Sequence, residues 1–293
     1  MTGLTWGRRL LMCRPDFFGV LYEINPWMHQ SVEVDPDAAR TQWEGLVATL
    51  REAGAQVELQ EPVSGLPDLV FTANAGVVNG GQFVPARFRN VERQAETAYD
   101  VAWFGAHGYD VDELPLEVHH EGAGDALPFG DVLVSGYRWR SDAVSHAHLS
   151  RLTGAAVRSV ELVDERLYHL DLTFCPVDDR RALVAPLGWD RYGLAVLDAL
   201  VPEPLLLEDE EALAFCANSV VVGRTIVMPA CPPRVGRALE KWGLEVVVCD
   251  VGEFLKAGGG CRCLTLALDV TLGSGGSGPG GALRDPGGAS APG

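Results

Sequence analysis

No apolar run in this 293-residue sequence approaches the roughly 18 residues that a membrane-spanning helix needs. The segment before Arg9 also lacks the hydrophobic stretch and small-residue cleavage site of a secretory signal. Both absences point to a cytoplasmic protein with no membrane contact. Basic residues are scarce, with 23 Lys and Arg against 40 Asp and Glu, a formal charge of −17. No basic stripe interrupts that field, so nucleic acid is excluded as a partner. Cysteine is sparse, odd in number (7) and scattered, which argues against a disulfide framework. Cys261-x-Cys263 lacks the second close pair of a structural zinc site. His119, His120, His146 and His148 have no carboxylate or cysteine at ligand spacing, so they are expected on the surface or on a helix face, and no metal is implied.

What is present fits a globular chain, 47% apolar and 22% charged. The acidic balance either favours approach of a cationic small molecule or serves solubility alone. Cys13, Cys175 and Cys249 lie in apolar runs and read as small buried hydrophobes.

Segments recur along the chain. Arg8 to Arg14 reads as a buried strand followed by a loop with Asn25-Pro26-Trp27-Met28; Asp37 then caps a helix to about Ala53, and Gln56 to Gln60 returns as a strand. Strands at Leu69 to Val78 and Gln82 to Pro85 flank Asn79-Gly80-Gly81, before a helix from about Val91 to Ala106 and a strand at 109–114. Three further units have the same order, with helices at 142–152, 190–200 and 233–242. Helix starts near 38, 91, 142, 190 and 233 give a spacing of roughly 43 to 53 residues, the signature of a closed or stacked repeat. Helical solenoids share such a period, but the short Val/Leu runs with hairpin turns favour strands.

The first unit lacks its opening strand, and Arg262 to Val270 is a strand with no helix after it. Closing one upon the other gives a ring of five: a one-domain α/β propeller over residues 1–272 with a central channel. The tail, 273–293, holds nine glycines and three prolines and reads as disordered.

The opening strand of each unit should line the axis. Those positions hold Asp68 to Asn74 (DLVFTAN), Glu121 to Asp125 (EGAGD), His169 to Asp171 (HLD), Phe215 to Asn218 (FCAN) and Gly258 to Cys263 (GGGCRC). Taken singly, each has a bland reading: EGAGD is a turn, His-x-Asp a satisfied core pair, and glycines before a cysteine a tight bend. Recurrence at matching places makes a cysteine-hydrolase site the leading idea. Cysteine attacks as thiolate, histidine moves protons, and a buried carboxylate suits a planar guanidinium fork.

Together, INPWM, PDLVFTAN, EGAGD, HLD and GGGCRCLTL resemble the guanidino-group-modifying enzymes, from about Leu10 to Leu268. That family includes arginine deiminases, dimethylarginine dimethylaminohydrolases, amidinotransferases and arginine dihydrolases. The resemblance implies the five-bladed pentein propeller and no cofactor. It makes Cys263 the nucleophile, His169 the general acid/base, Glu121 its acidic partner and Asp171 the guanidinium carboxylate. Arg140 and Arg93 resemble the arginines that take the substrate's α-carboxylate, with Arg87 and Arg89 near the second position; Asp68 joins the binding set. Asn74 stands where deiminases and dimethylaminohydrolases have an acid, and with Asn25 it is similar to the dihydrolases. EGAGD is one residue longer than the family's EGGD-type pattern. The implied partner is a small cationic guanidino substrate, with hydrolysis to citrulline or ornithine, dimethylargininase activity and amidino transfer as the alternatives; a homo-oligomer is left open.

Overall fold

The computed structural model describes residues 4–272; the tail expected to be disordered lies outside the described residues. Five three-stranded sheets surround an axis. The second to fifth sheets follow the chain: Gly76–Asn79, Gln82–Pro85 and Asp110–Val111; Ala126–Phe129, Val132–Tyr137 and Ala156–Glu161; Phe174–Pro176, Arg181–Val184 and Glu203–Leu206; Val220–Val222, Thr225–Met228 and Glu245–Val248. The first sheet combines both ends. Leu266–Ala267 pairs antiparallel with Arg9–Cys13, which pairs parallel with Gln56–Gln60.

Every sheet repeats this order: an antiparallel pair, then a parallel outer strand reached through a helix. The crossover helices are Pro36–Glu52, Glu96–Ala106, Ser145–Thr153, Arg191–Leu200 and Pro233–Lys241. A parallel neighbour cannot be reached by a tight turn, so a helix intervenes and covers the outside. Axial strands such as Val220–Val222 are wholly buried, whereas outer strands such as Glu245–Val248 are exposed at their ends. The five-bladed α/β propeller expected from the repeat is therefore the observed architecture, with ring closure where the unpaired strands required it. Backbone bonds tighten the seam: Leu268 N–H donates to the Arg9 carbonyl at 2.8 Å, and Asp269 accepts from the Gly7 and Arg8 amides, both at 2.8 Å.

Three local expectations need correction. The first helix is capped by Asp35, whose carboxylate accepts from the Asp37 and Ala38 amides, while Pro36 occupies the first turn and needs no partner there. The second helix begins at Glu96, because residues 91–95 form turns that carry Arg93 inward to meet Glu96. The axial motifs are not strands. Pro67–Val70, Thr72–Ala75, Gly122–Gly124 and Leu170–Leu172 are 3-10 turns that precede much shorter strands. A short apolar run has no periodicity to separate a strand from a buried turn.

Candidate active site

These turns bring the chemistry to one end of the axis. A cavity with about 270 Å³ of empty space is lined by Asn25, Asp68, Asn74, Arg93, Arg140, Tyr168, His169 and Cys263, among others. Asp171 and Glu121 stand behind that lining, each fully buried and hydrogen-bonded to a lining residue. An outer vestibule of about 840 Å³ shares Ile24, Asn25, Met28, Arg140 and Tyr168 with the cavity. The INPWM loop thus separates the two. It is fixed by Asn25, whose Oδ1 accepts from the Trp27 amide at 2.9 Å and whose Nδ2 donates to the Ala257 carbonyl at 3.0 Å.

The glycines ahead of Cys263 are sterically required. A Cβ on Gly259 would lie 2.3 Å from the Phe71 ring, one on Gly260 2.9 Å from Asn218 Oδ1, and Gly258 has φ +79°. Cys263 Sγ contacts Asp171 Oδ2 at 3.3 Å, the thiol donating. Burial, and then the facing Asp171 charge, hold the Cys263 thiol well above its ordinary pKa. Burial likewise pushes Asp171 up to about 7. In the ligand-free site, one proton is therefore held between two acids, an arrangement that an arriving cation would break.

His169 Nε2 is 2.8 Å from Glu121 Oε2, which also accepts from Arg140 Nη1 at 2.9 Å. Burial alone would raise the Glu121 pKa, but Arg140, His169 and Arg93 overcome it and hold this carboxylate well below the usual range. The structure separates the two acids of EGAGD. Asp125 turns away from the cavity, accepting from the Leu170 amide at 3.0 Å and the Ser141 hydroxyl at 2.6 Å. It thus fixes the turn that follows His169, while Glu121 faces the histidine itself.

Arg93 Nη1 donates to Asn74 Oδ1 at 2.8 Å, and its other nitrogens bond Glu96 at 2.9 and 2.7 Å. Asp68 lies within 3.8 Å of the same guanidinium. The neighbouring arginines point elsewhere: Arg87 pairs with Glu113, and Arg89 with Asp142. Arg140 lies over the Tyr168 ring at 4.6 Å and donates to the Ile24 carbonyl at 3.0 Å. All nine residues singled out in the sequence therefore converge on the cavity or its immediate backing. Cys261 does not; it packs within the apolar core. His120 is not on the surface but buried beneath the site, accepting from the Gly122 amide, with its pKa lowered to about 3 by burial. Among the described residues no cluster of three or more His, Cys, Asp or Glu could hold a metal, and no helix is long and apolar enough to cross a membrane.

Asn218, placed on the axis with the FCAN motif but given no role of its own there, belongs to the site. Asn218 Nδ2 donates to Cys263 Sγ at 3.1 Å, and its Oδ1 accepts from the amides of Gly260, Arg262 and Cys263. The echo between Phe71-Thr72-Ala73-Asn74 and Phe215-Cys216-Ala217-Asn218 was the available signal.

Five blades closed about a buried cysteine, histidine and carboxylates define a pentein propeller with a hydrolase-type centre. No family model matches the sequence. The chain is 38% identical over 263 residues to the N(G),N(G)-dimethylarginine dimethylaminohydrolase of Mycobacterium tuberculosis, covering 89% of this chain and 86% of that protein. It is 41% identical over 265 residues to the bifunctional arginine dihydrolase/ornithine cyclodeaminase ArgZ of Synechocystis sp., again over 89% of this chain but only 37% of that one. The chain thus spans little more than a third of the length of its bifunctional relatives. Among solved structures, the substrate-bound N-terminal domain of ArgZ, an arginine dihydrolase of cyanobacteria, matches with a TM-score of 0.86 at 38% identity, over 90% of this chain and 99% of that one. The chain belongs to the guanidino-group C–N hydrolase family that unites the arginine dihydrolases and the dimethylarginine dimethylaminohydrolases.

Proposed function

We propose that this protein hydrolyses the guanidino group of arginine, or of a close arginine derivative, through a covalent amidino-thioether on Cys263. The observation that carries this is the Cys263–Asp171 contact, with the His169–Glu121 pair on the same cavity. A guanidinium entering the cavity supplies the positive charge that lets both the thiol and Asp171 ionise. Asp171 then takes the unsubstituted nitrogens, with Asn74 beside them. Arg140 and Arg93 receive the α-carboxylate, and Asp68 offers a carboxylate for the α-ammonium.

The thiolate attacks the guanidinium carbon. His169, oriented by Glu121, delivers a proton to the departing nitrogen, so that the C–N bond breaks, ammonia leaves and an amidino-thioether cation remains. The same imidazole then takes a proton from the attacking water. Collapse of that adduct breaks the C–S bond and releases citrulline. A second round on the ureido group would give ornithine, ammonia and carbon dioxide, the dihydrolase outcome. The relatives support this reading, since ArgZ domain structures are described with substrate, with product and with a covalent reaction intermediate. A dimethylargininase reading has its own support in the mycobacterial relative, which is matched over most of its length. Asp171 favours unsubstituted nitrogens, because an ionised carboxylate only accepts and needs N–H groups to engage.

Incubation with arginine, dimethylarginine, citrulline and agmatine, followed by mass spectrometry of the products, tests the proposal. Ornithine or citrulline from arginine is expected, and Cys263→Ser should lose turnover by roughly 10³-fold or more while Cys261→Ser keeps it. Turnover of only the methylated substrate would overturn the choice of arginine. Turnover that survives loss of Cys263 would overturn the mechanism.

A further inference from the structure

We propose that Asn218 is a catalytic residue, its side-chain amide donating to the Cys263 thiolate and setting how much of the cysteine is reactive. The proposal rests on Cys263 being the nucleophile.

Asn218 is fully buried and its orientation is determined. Its carbonyl oxygen accepts from three amides of the nucleophile turn, Gly260 at 3.1 Å, Arg262 at 3.1 Å and Cys263 at 3.2 Å. A flipped amide would put an NH₂ against three N–H groups, so Nδ2 must face the other way. There it meets Cys263 Sγ at 3.1 Å and the Asp171 carbonyl at 3.2 Å. One side chain therefore ties the nucleophile to the turn that carries its facing carboxylate.

The backbone is bent to achieve this. Phe215, three residues earlier, has φ +61°, a conformation L-residues rarely adopt, and its ring is held against Trp27 with centroids 4.9 Å apart. A donor at a thiolate stabilises the anion more than the neutral thiol, because the hydrogen bond becomes charge-assisted. The other groups facing this sulfur are few. Asp171 opposes ionisation, the Gly260 amide favours it, and Tyr168, His169 and Arg262 lie around them. Asn218 is a neutral side-chain donor whose removal changes the thiolate without removing a base.

Asn218→Asp separates the two functions of the amide. Once ionised, a carboxylate still accepts from the three backbone N–H groups but can no longer donate to sulfur. The readout is the pH profile of Cys263 alkylation by iodoacetamide, followed by peptide mass spectrometry on the ligand-free protein. It needs no substrate, so it stays informative even if arginine is not the substrate. The profile should move up by about one pH unit or more, and kcat should fall roughly 10²-fold with KM changed only a few-fold. Asn218→Ala removes the donor without adding charge and its alkylation profile is read in the same way; a shift confined to the aspartate variant would be the effect of the added charge and would overturn the proposal. Alkylation unchanged from wild type in whichever variant folds would overturn the proposal and leave Asn218 as a positioning residue for the loop.

Discussion

Asn74 and Asn218 end the same four-residue pattern, Phe-x-Ala-Asn, in the second and fifth blades, and both close their turns by an Asn N–H to Phe carbonyl bond, at 3.0 and 2.9 Å. Their side chains nevertheless do different things. Asn74 accepts from Arg93 and donates to the Glu121 carbonyl of the next blade at 3.3 Å, so it belongs to the wall around the substrate space. Asn218 grips the turn that carries Cys263. The backbone records the difference, since Phe71 has φ −85° and Phe215 φ +61°. Internal repetition thus supplies equivalent places for polar residues, and the neighbour across each blade junction decides what each one does.

The largest effect is expected at Asp171, whose backbone carbonyl is held by Asn218 and whose carboxylate faces Cys263. Asp171→Asn should lower kcat/KM for arginine by roughly 10²-fold or more, and remove the decline of kcat/KM expected of wild type as pH falls below about 7, where Asp171 protonates. The stability effect runs the other way. Burial raises this acid's folded pKa above its unfolded value near 4, so the ligand-free wild type loses stability as pH rises from about 4 to about 7. The asparagine variant is spared that loss, and thermal melts at pH 8 should place it above wild type. A variant that melts lower at pH 8 would show that Asp171 ionises without strain in the empty site.

Asn74→Ala comes next. It should raise KM for arginine about tenfold by loosening Arg93, while the Cys263 alkylation profile stays as in wild type. A shifted profile would erase the distinction between the two asparagines. The smallest effect is expected at Asp35→Ala, which removes a helix cap outside the cavity lining: about 1 kcal/mol of stability in denaturant titration, with kcat and KM unchanged.

The fivefold order was legible because Gly- and Asn-marked hairpins and evenly spaced helices punctuate the chain. Closure followed from the partnerless strand at each end. The axial motifs could be located but not shaped: in Leu69 to Val78 every residue is apolar or small apart from Thr72 and Asn74, so nothing in the order distinguishes strand from 3-10 turn. The late start of the second helix depends on Arg93 meeting Glu96, Asn74 and Asp68 in the interior, a tertiary contact that overrides the local propensity of residues 91–95. Glu121, His169 and Asp171 stood out through their residue types on the axial motifs, and the family resemblance singled out Cys263. Asn218 did not, because an amide is recognisable as a partner of the thiol only once the fifth blade is seen beside the first.

The seam between Leu266–Ala267 and Arg9–Cys13 has a kinetic consequence. Its strands are separated by more of the chain than any other paired strands in the ring, so its closure carries a large loop entropy. Cys263 sits three residues before that seam. A partly folded or newly emerging chain can therefore form its middle blades while its thiol is still unaligned with Asp171 and Asn218. On the proposed mechanism, the alignment that makes the thiol reactive is acquired late, when the two ends of the fold meet.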